Sequence, residues 1–290
     1  MRKISDVLCL GCLVFAGLGM ATAQEQSMGP PKVLTVTREF VKPGKGGAMH
    51  DKAESAFVQA FARIKYPTHY LAMNSLSGKP RVLFFTGYDS FAAWEKDANT
   101  VNKNAALSGA LDHAGVVDGD LLDSVDMGAW AYREEYSLRP HSDIAHMRYF
   151  EISLYRVKPG HHKDWDDALK MVLAAEQKMP DNHWACYEAV YGVPEGTYVF
   201  ITPRKSADEI DKNMMQEKDF ASAMGEEGMK KLDELAAVAI ESSESNLFMF
   251  NPKMSYVSDD WVKADPEFWK PKAAPAAAPK KPTDKTGTGQ

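Results

Sequence analysis

The sequence predicts an α+β fold made of two tandem copies of a β-α-β-β-α-β unit. Three observations carry this. Glu39-Phe40-Val41-Lys42-Pro43-Gly44 returns 116 positions later as Tyr155-Arg156-Val157-Lys158-Pro159-Gly160. A β-prone run enters each Pro-Gly turn and an amphipathic helix pattern leaves it. A further β-prone run, Val82-Leu83-Phe84-Phe85-Thr86, has its counterpart at the same offset in Tyr198-Val199-Phe200-Ile201-Thr202.

In the first copy, 33–140, Val33 to Val41 reads as a strand. After the turn, Met49, Ala53, Ala56, Phe57, Ala60, Phe61 and Ile64 recur at helical spacing as one apolar stripe that Pro67 ends. Strands over His69 to Leu76 and Arg81 to Thr86 flank a Ser77-Gly78 turn. Ser90 is placed to cap a helix carrying Phe91 and Trp94. A longer helical pattern from Val101 to Leu122 leads to a last strand, Ala129 to Tyr136.

The second copy, 145–258, starts with a strand over Met147 to Val157. Trp165, Leu169, Val172 and Leu173 then mark its first helix, which Pro180 closes, and His183 opens the next strand. Ser206 corresponds to the cap Ser90. A helical pattern from Phe220 to Ile240 and a strand from Leu247 to Phe250 complete the copy, and Ser255 stands two residues out of register against Ser137. Residues 24–32 read as a linker. Trp261 and Trp269, in the segment 259–270, are expected to fasten that segment to the body.

This order is the split-βαβ, ferredoxin-like arrangement, whose sheet is covered by helices on one face and needs a second copy on the other. The strand-Pro-Gly-helix entries and tandem units over residues 33–256 resemble the dimeric α+β barrel superfamily, with its antibiotic-biosynthesis-type monooxygenases, NIPSNAP-like proteins and chlorite-dismutase-like haem proteins. The resemblance implies two modules pairing their antiparallel sheets into one intrachain barrel around a cavity.

Met1-Arg2-Lys3, an apolar run to Met20 and Ala21-Thr22-Ala23 form a secretory signal pattern, so cleavage near Ala23 and a periplasmic or secreted location are expected. A lipid-anchored start at Cys12 is the weaker alternative, since Cys9 stands where an aliphatic residue is wanted. Cys9 and Cys12 leave with the signal, and Cys186 reads as a small buried side chain. Residues 271–290 lack aromatic and branched aliphatic side chains and are expected to be disordered. With the positive ends set aside, residues 24–269 carry a formal charge of −11, which excludes nucleic acid as a partner. No later run is long enough to span a bilayer.

Candidate site residues follow from strand alternation. If helices cover the face of Phe150, Ile152 and Leu154, then Tyr149, Glu151, Ser153 and Tyr155 face the barrel interior, with Thr35, Thr37 and Glu39 as their first-copy counterparts. Glu151, Tyr155 and His183 are the expected catalytic residues, with Glu151 as the base; the competing reading has this face hydrated or pairs Glu151 with an arginine such as Arg148 or Arg81. His69 and His183 occupy equivalent places after the prolines, His69 as part of the candidate pocket and His183 as a catalytic candidate. His161-His162 reads as a solvated helix start. No phosphate loop, H-E-x-x-H or G-x-S-x-G is present, the one C-x-x-C, Cys9-Leu10-Gly11-Cys12, falls inside the expected signal segment, and no metal ligand set is read. The expected partner is a small apolar or aromatic molecule, bound without a tightly held cofactor, in a binding protein or a cofactor-independent oxygenase or isomerase. A homo-oligomer is compatible with this reading. The alternatives are a haem-dependent oxidoreductase resting on His69 or His183, and a non-enzymatic envelope interaction protein.

Overall fold

Eight strands close into one antiparallel barrel in the computed structural model, which describes residues 29–270. The expected signal segment and C-terminal tail lie outside the described residues. The first half of the chain supplies β1 (Val33–Val41), α1 (Ala48–Arg63), β2 (Tyr70–Ser75), β3 (Arg81–Tyr88), α2 (Phe91–Lys103), α3 (Ala105–Gly119) and β4 (Leu122–Tyr132). The second supplies β5 (Tyr149–Val157), α4 (His162–Glu176), β6 (Ala185–Tyr191), β7 (Thr197–Arg204), α5 (Asp208–Met215), α6 (Glu217–Met224), α7 (Glu226–Ala239) and β8 (Ile240–Phe250), followed by α8 (Asp259–Ala264) and α9 (Pro266–Trp269).

Around the barrel the order is β1-β3-β2-β8-β5-β7-β6-β4. Each half is thus a contiguous four-stranded arc with the same internal order. The arcs join at two seams, β2 with β8 and β4 with β6. Every neighbouring pair is antiparallel, so the starts of β1, β2, β5 and β6 gather at one mouth of the barrel. Gly44 and Gly160 close the two Pro-Gly turns at φ 79° and 85°, a conformation that costs glycine least. The register slips at the same place in each half, between Phe40 and Val41 and between Arg156 and Val157.

The halves brace each other through equivalent contacts. Ser137 Oγ donates to Arg133 O and accepts from the Cys186 amide on β6; Ser255 Oγ donates to Asn251 O and accepts from the Ala72 amide on β2. Bridges Leu138 to Trp184 and Tyr256 to Tyr70 repeat the pattern. The two-residue slip of Ser255 arises between β7 and β8, where three helices replace two.

Several boundaries differ from the sequence expectation. The strand expected over Ala129 to Tyr136 begins at Leu122, and Tyr136 lies in a short 3-10 turn. Of its first seven residues, Leu122 belongs to the expected helical pattern and 123–128 to neither expected element. The expected helix 101–122 is two helices broken at Asn104, whose side chain accepts from the Leu107 amide. Ser90 caps α2 as expected, whereas α5 starts after Ala207 without a side-chain cap. The expected last helix is split at Gly225, and its strand starts at Ile240. The α1 stripe is rotated: Met49 and Ile64 are exposed, and the buried face carries His50, Ala53, Glu54 and Ala60.

On β1 and β5 the two faces are the reverse of the expectation. Phe150 and Ile152 point into the barrel, where they join Leu34, Val36, Phe85, Ile201 and Phe250 in one core. Tyr149, Glu151, Ser153 and Tyr155, and in the first half Thr35, Thr37 and Glu39, belong to the outer, helix-facing side. The inside of a closed barrel meets neither water nor helix, so the more apolar set fills it; the outer layer borders solvent and admits polar groups. Each fully buried interior Phe, Leu or Ile contributes about 1.5–3 kcal/mol of transfer free energy. Trp269 anchors the C-terminal segment to the barrel end: it is 3% exposed and its indole N–H donates to Ala145 O at 2.8 Å.

Candidate functional site

One mouth of the barrel holds a cavity of about 860 Å³. Its floor is the end of the apolar core, chiefly Leu34, Leu71, Phe85, Phe150 and Ile201, with Tyr187 beside them. Trp184 and Trp261 stand in its wall, the latter brought there by α8. The polar groups come from the Tyr66–Tyr70 segment that enters β2 and from α2.

Asp97 on α2 organises that polar rim. Its carboxylate accepts from Tyr66 Oη at 2.8 Å and Thr68 Oγ1 at 2.6 Å through one oxygen, and from Tyr88 Oη at 3.0 Å through the other. Burial and the Asp97 charge push the Tyr66 and Tyr88 phenols up, so both remain protonated donors. Pro67 halts α1 and turns the chain so that Thr68 and His69 reach the cavity.

His69 lines this cavity, lying 4.9 Å from the Tyr256 ring at 24°. Burial lowers its pKa below the ordinary histidine value, against a weaker opposing pull from Asp259. A neutral imidazole at an apolar wall can accept a proton or a hydrogen bond from a ligand. His183 holds the equivalent position at β6 but lines a separate cavity of about 570 Å³ with Arg139 and Arg204. Its ring nitrogens stand 2.9 Å from Asp181 O and 3.0 Å from Pro203 O. Those carbonyls occupy both nitrogens, so His183 does not fit as an axial haem ligand facing His69.

Of the residues singled out in the sequence, the structure therefore brings His69 to the cavity and keeps the strand set away from it. Glu151 Oε2 accepts from Arg204 Nη2 at 3.0 Å on the outer side, so it pairs with an arginine as the competing reading held, though with neither Arg148 nor Arg81. Tyr155 packs 5.5 Å from Trp165 of α4 and 5.6 Å from Phe200. Ser153 shares a 2.7 Å hydrogen bond with Ser245, and Thr35 donates to Thr86 O. Glu39 is buried under α1. Sequence reasoning missed Asp97, Tyr66 and Tyr88, which no spacing joins because they come from three separate elements. It also missed His50 and Glu54, whose i, i+4 spacing on a buried helix face was the available signal.

Fold and site together define a closed α+β barrel with an apolar chamber at one mouth. Among solved structures, the chain is similar to a candidate monooxygenase from Fusobacterium nucleatum, at 12% identity and TM-score 0.48 over 77% of this chain and 94% of that one. It is also similar to an anthrone oxidase-like protein, at 15% identity and TM-score 0.48 over 78% and 94%. Chlorite dismutase from Candidatus Nitrospira defluvii is similar at 6% identity and TM-score 0.44 over 83% and 98%. These likenesses concern the course of the chain and carry nothing about ligand or chemistry. No family model matches the chain, and no curated protein matches it in sequence.

Proposed function

We propose that this protein binds a small, largely apolar aromatic molecule in the mouth cavity, with His69 as the acceptor for an acidic O–H or C–H of that molecule. The observation that carries the reading is the pairing of an aromatic, apolar chamber of about 860 Å³ with an imidazole held neutral by burial. The chamber lies within the usual range of small-molecule sites, about 300–1,000 Å³. Proton removal from a bound aromatic is the step shared by isomerisation and cofactor-independent oxygenation, so either reaction class is compatible with the site. The strand order common to the two arcs supports a chain of two tandem ferredoxin-like modules, and the N-terminal residue pattern supports export.

Titrating the purified protein with naphthols and hydroxynaphthoquinones, read by quenching of Trp184 and Trp261 fluorescence, tests the reading. Saturable binding that Phe85→Trp blocks and His69→Ala weakens is expected. Absence of binding across both ligand series would sink it.

A further inference from the structure

A second cluster lies on the outer side of the first arc, between β1, α1 and α3. Glu39 comes from β1, His50 and Glu54 from successive turns of α1, and Asp118 from the end of α3. His50, Glu54 and Asp118 are 1%, 3% and 2% exposed. One ligand atom from each of the four residues lies within 4.8 Å of the others. His50 Nε2 stands 3.2 Å from Glu39 Oε2 and 3.1 Å from Asp118 Oδ1, so a single ring nitrogen faces two carboxylates. Glu54 Oε1 is buried in the same cluster and has no hydrogen-bond partner.

Three carboxyl groups around one imidazole in a dry layer are costly, since each must either give up its charge or have a cation beside it. The fold itself does not require them. At the matching positions in the second half, Glu39 is replaced by Tyr155, His50 by Asp166 and Glu54 by Lys170. There the layer between helix and sheet is filled by Tyr155, Trp165 and Tyr198, with ring centroids 5.3–5.5 Å apart. Asp166 and Lys170 pair with each other on the surface instead. Two arcs with the same strand order thus use the same space differently, one for aromatic packing and one for converging ligand atoms.

We propose that Glu39, His50, Glu54 and Asp118 bind one divalent first-row transition-metal ion that pins α1 and α3 to β1. One imidazole with three carboxylates suits Mn²⁺, Fe²⁺ or Zn²⁺; the imidazole disfavours Mg²⁺ and Ca²⁺, and the lack of thiolate disfavours Cu⁺. Metal–ligand distances of about 2.0–2.2 Å call for a modest inward closing of the four side chains. The ion's two positive charges would take the place between Nε2 and the carboxylates that one proton now serves, and Glu54 Oε1 would gain its missing partner. This site is separate from the mouth cavity, so it stands or falls independently of the ligand reading.

The test uses the chain from Gln24 onward, stripped with chelator and titrated separately with Mn²⁺ and Zn²⁺, with bound metal measured by elemental analysis. One ion per chain is expected, with affinity reduced at least tenfold in Glu54→Gln and in Asp118→Asn, and unchanged in the surface variant Asp143→Asn. Circular dichroism establishes that each variant is folded. Electron–nuclear double resonance of the Mn²⁺-loaded wild type adds a measurement independent of any variant: coupling to one imidazole nitrogen, absent in His50→Gln, is expected. No saturable uptake of either ion at submillimolar concentration overturns the proposal. So does uptake undiminished in both Glu54→Gln and Asp118→Asn, or a bound Mn²⁺ without nitrogen coupling.

Discussion

His69 lies against Tyr256 with ring centroids 4.9 Å apart and ring planes 24° apart, which fixes the imidazole at the cavity wall. Burial lowers its pKa, so the folded chain binds this proton less readily than the unfolded one. The contribution to stability is therefore complete above the ordinary histidine pKa and is lost as pH falls through the lower folded value. Histidine ring NMR is expected to show His69 titrating below pH 6.5, the ordinary value. Ligand binding that depends on a neutral acceptor should weaken over the same acid range; a titration above the ordinary value would contradict the assignment.

Asp97 holds three hydroxyls, from Tyr66, Thr68 and Tyr88. Asp97→Ala leaves Tyr88 without its acceptor and Tyr66 with only the Asp97 backbone carbonyl at 3.2 Å, at a cost of about 1–3 kcal/mol if they stay buried. The expected outcome is a lower denaturant midpoint together with weakened naphthol binding, since the rim that shapes the cavity loses its organiser. Asp97→Asn should restore part of both.

Trp165, 3% exposed, fills the helix-to-sheet layer of the second half. Trp165→Ala should destabilise the chain by about 3–5 kcal/mol, as large-to-small core changes do. Tyr155→Phe is expected to leave cavity binding unchanged, because Tyr155 packs on Trp165 outside the barrel. Lost binding in a stable Tyr155→Phe variant would return that residue to the site.

Cys186 is fully buried, and burial pushes its thiol well above the ordinary range. A disulfide-exchange reagent is expected to leave Cys186 unmodified in the native chain and to react with it in denaturant. Reaction at the native rate of a free thiol would show that β6 opens readily.

In chelator, stability should fall as pH rises from neutral. Burial and the charges of Glu39 and Asp118 raise the Glu54 carboxyl to about 9. Burial alone would lower His50, but hydrogen bonds to Asp118 and Glu39 raise it to about 10. Both groups keep protons in the folded chain that the unfolded chain has released. The His50 contribution is whole below its unfolded value of 6.5 and lost as pH rises through about 10; that of Glu54 is lost between its ordinary value and about 9. Each changes stability by up to about 1.4 kcal/mol per pH unit over its window. Denaturant midpoints measured from pH 6.5 upward should decline, and less steeply in Glu54→Gln.

The repeat around Pro43-Gly44 and Pro159-Gly160 made the strand and helix order legible, because turn chemistry and alternation are local properties. The direction of alternation was not local. Phe150 and Glu151 declare two faces, but which face is inside depends on the barrel closing at the β2–β8 and β4–β6 seams, a relation among distant segments. Apolarity was the usable clue: Leu34, Val36, Phe150 and Ile152 form the more apolar set and belong in the enclosed space. His69 was legible because Pro67 and Pro180 mark equivalent helix ends. Asp97 and Asp118 were not, since each takes its meaning from residues on other elements.

Covalent linkage of the two arcs has a consequence for how such a barrel can change over time. In an assembly of two identical chains, every substitution is made twice, and an ionic cluster under one helix would burden both subunits at once. Here a change at Glu39 is made once, while Tyr155 keeps packing its own arc. One half can preserve the solidity of the wall while the other is free to acquire chemistry.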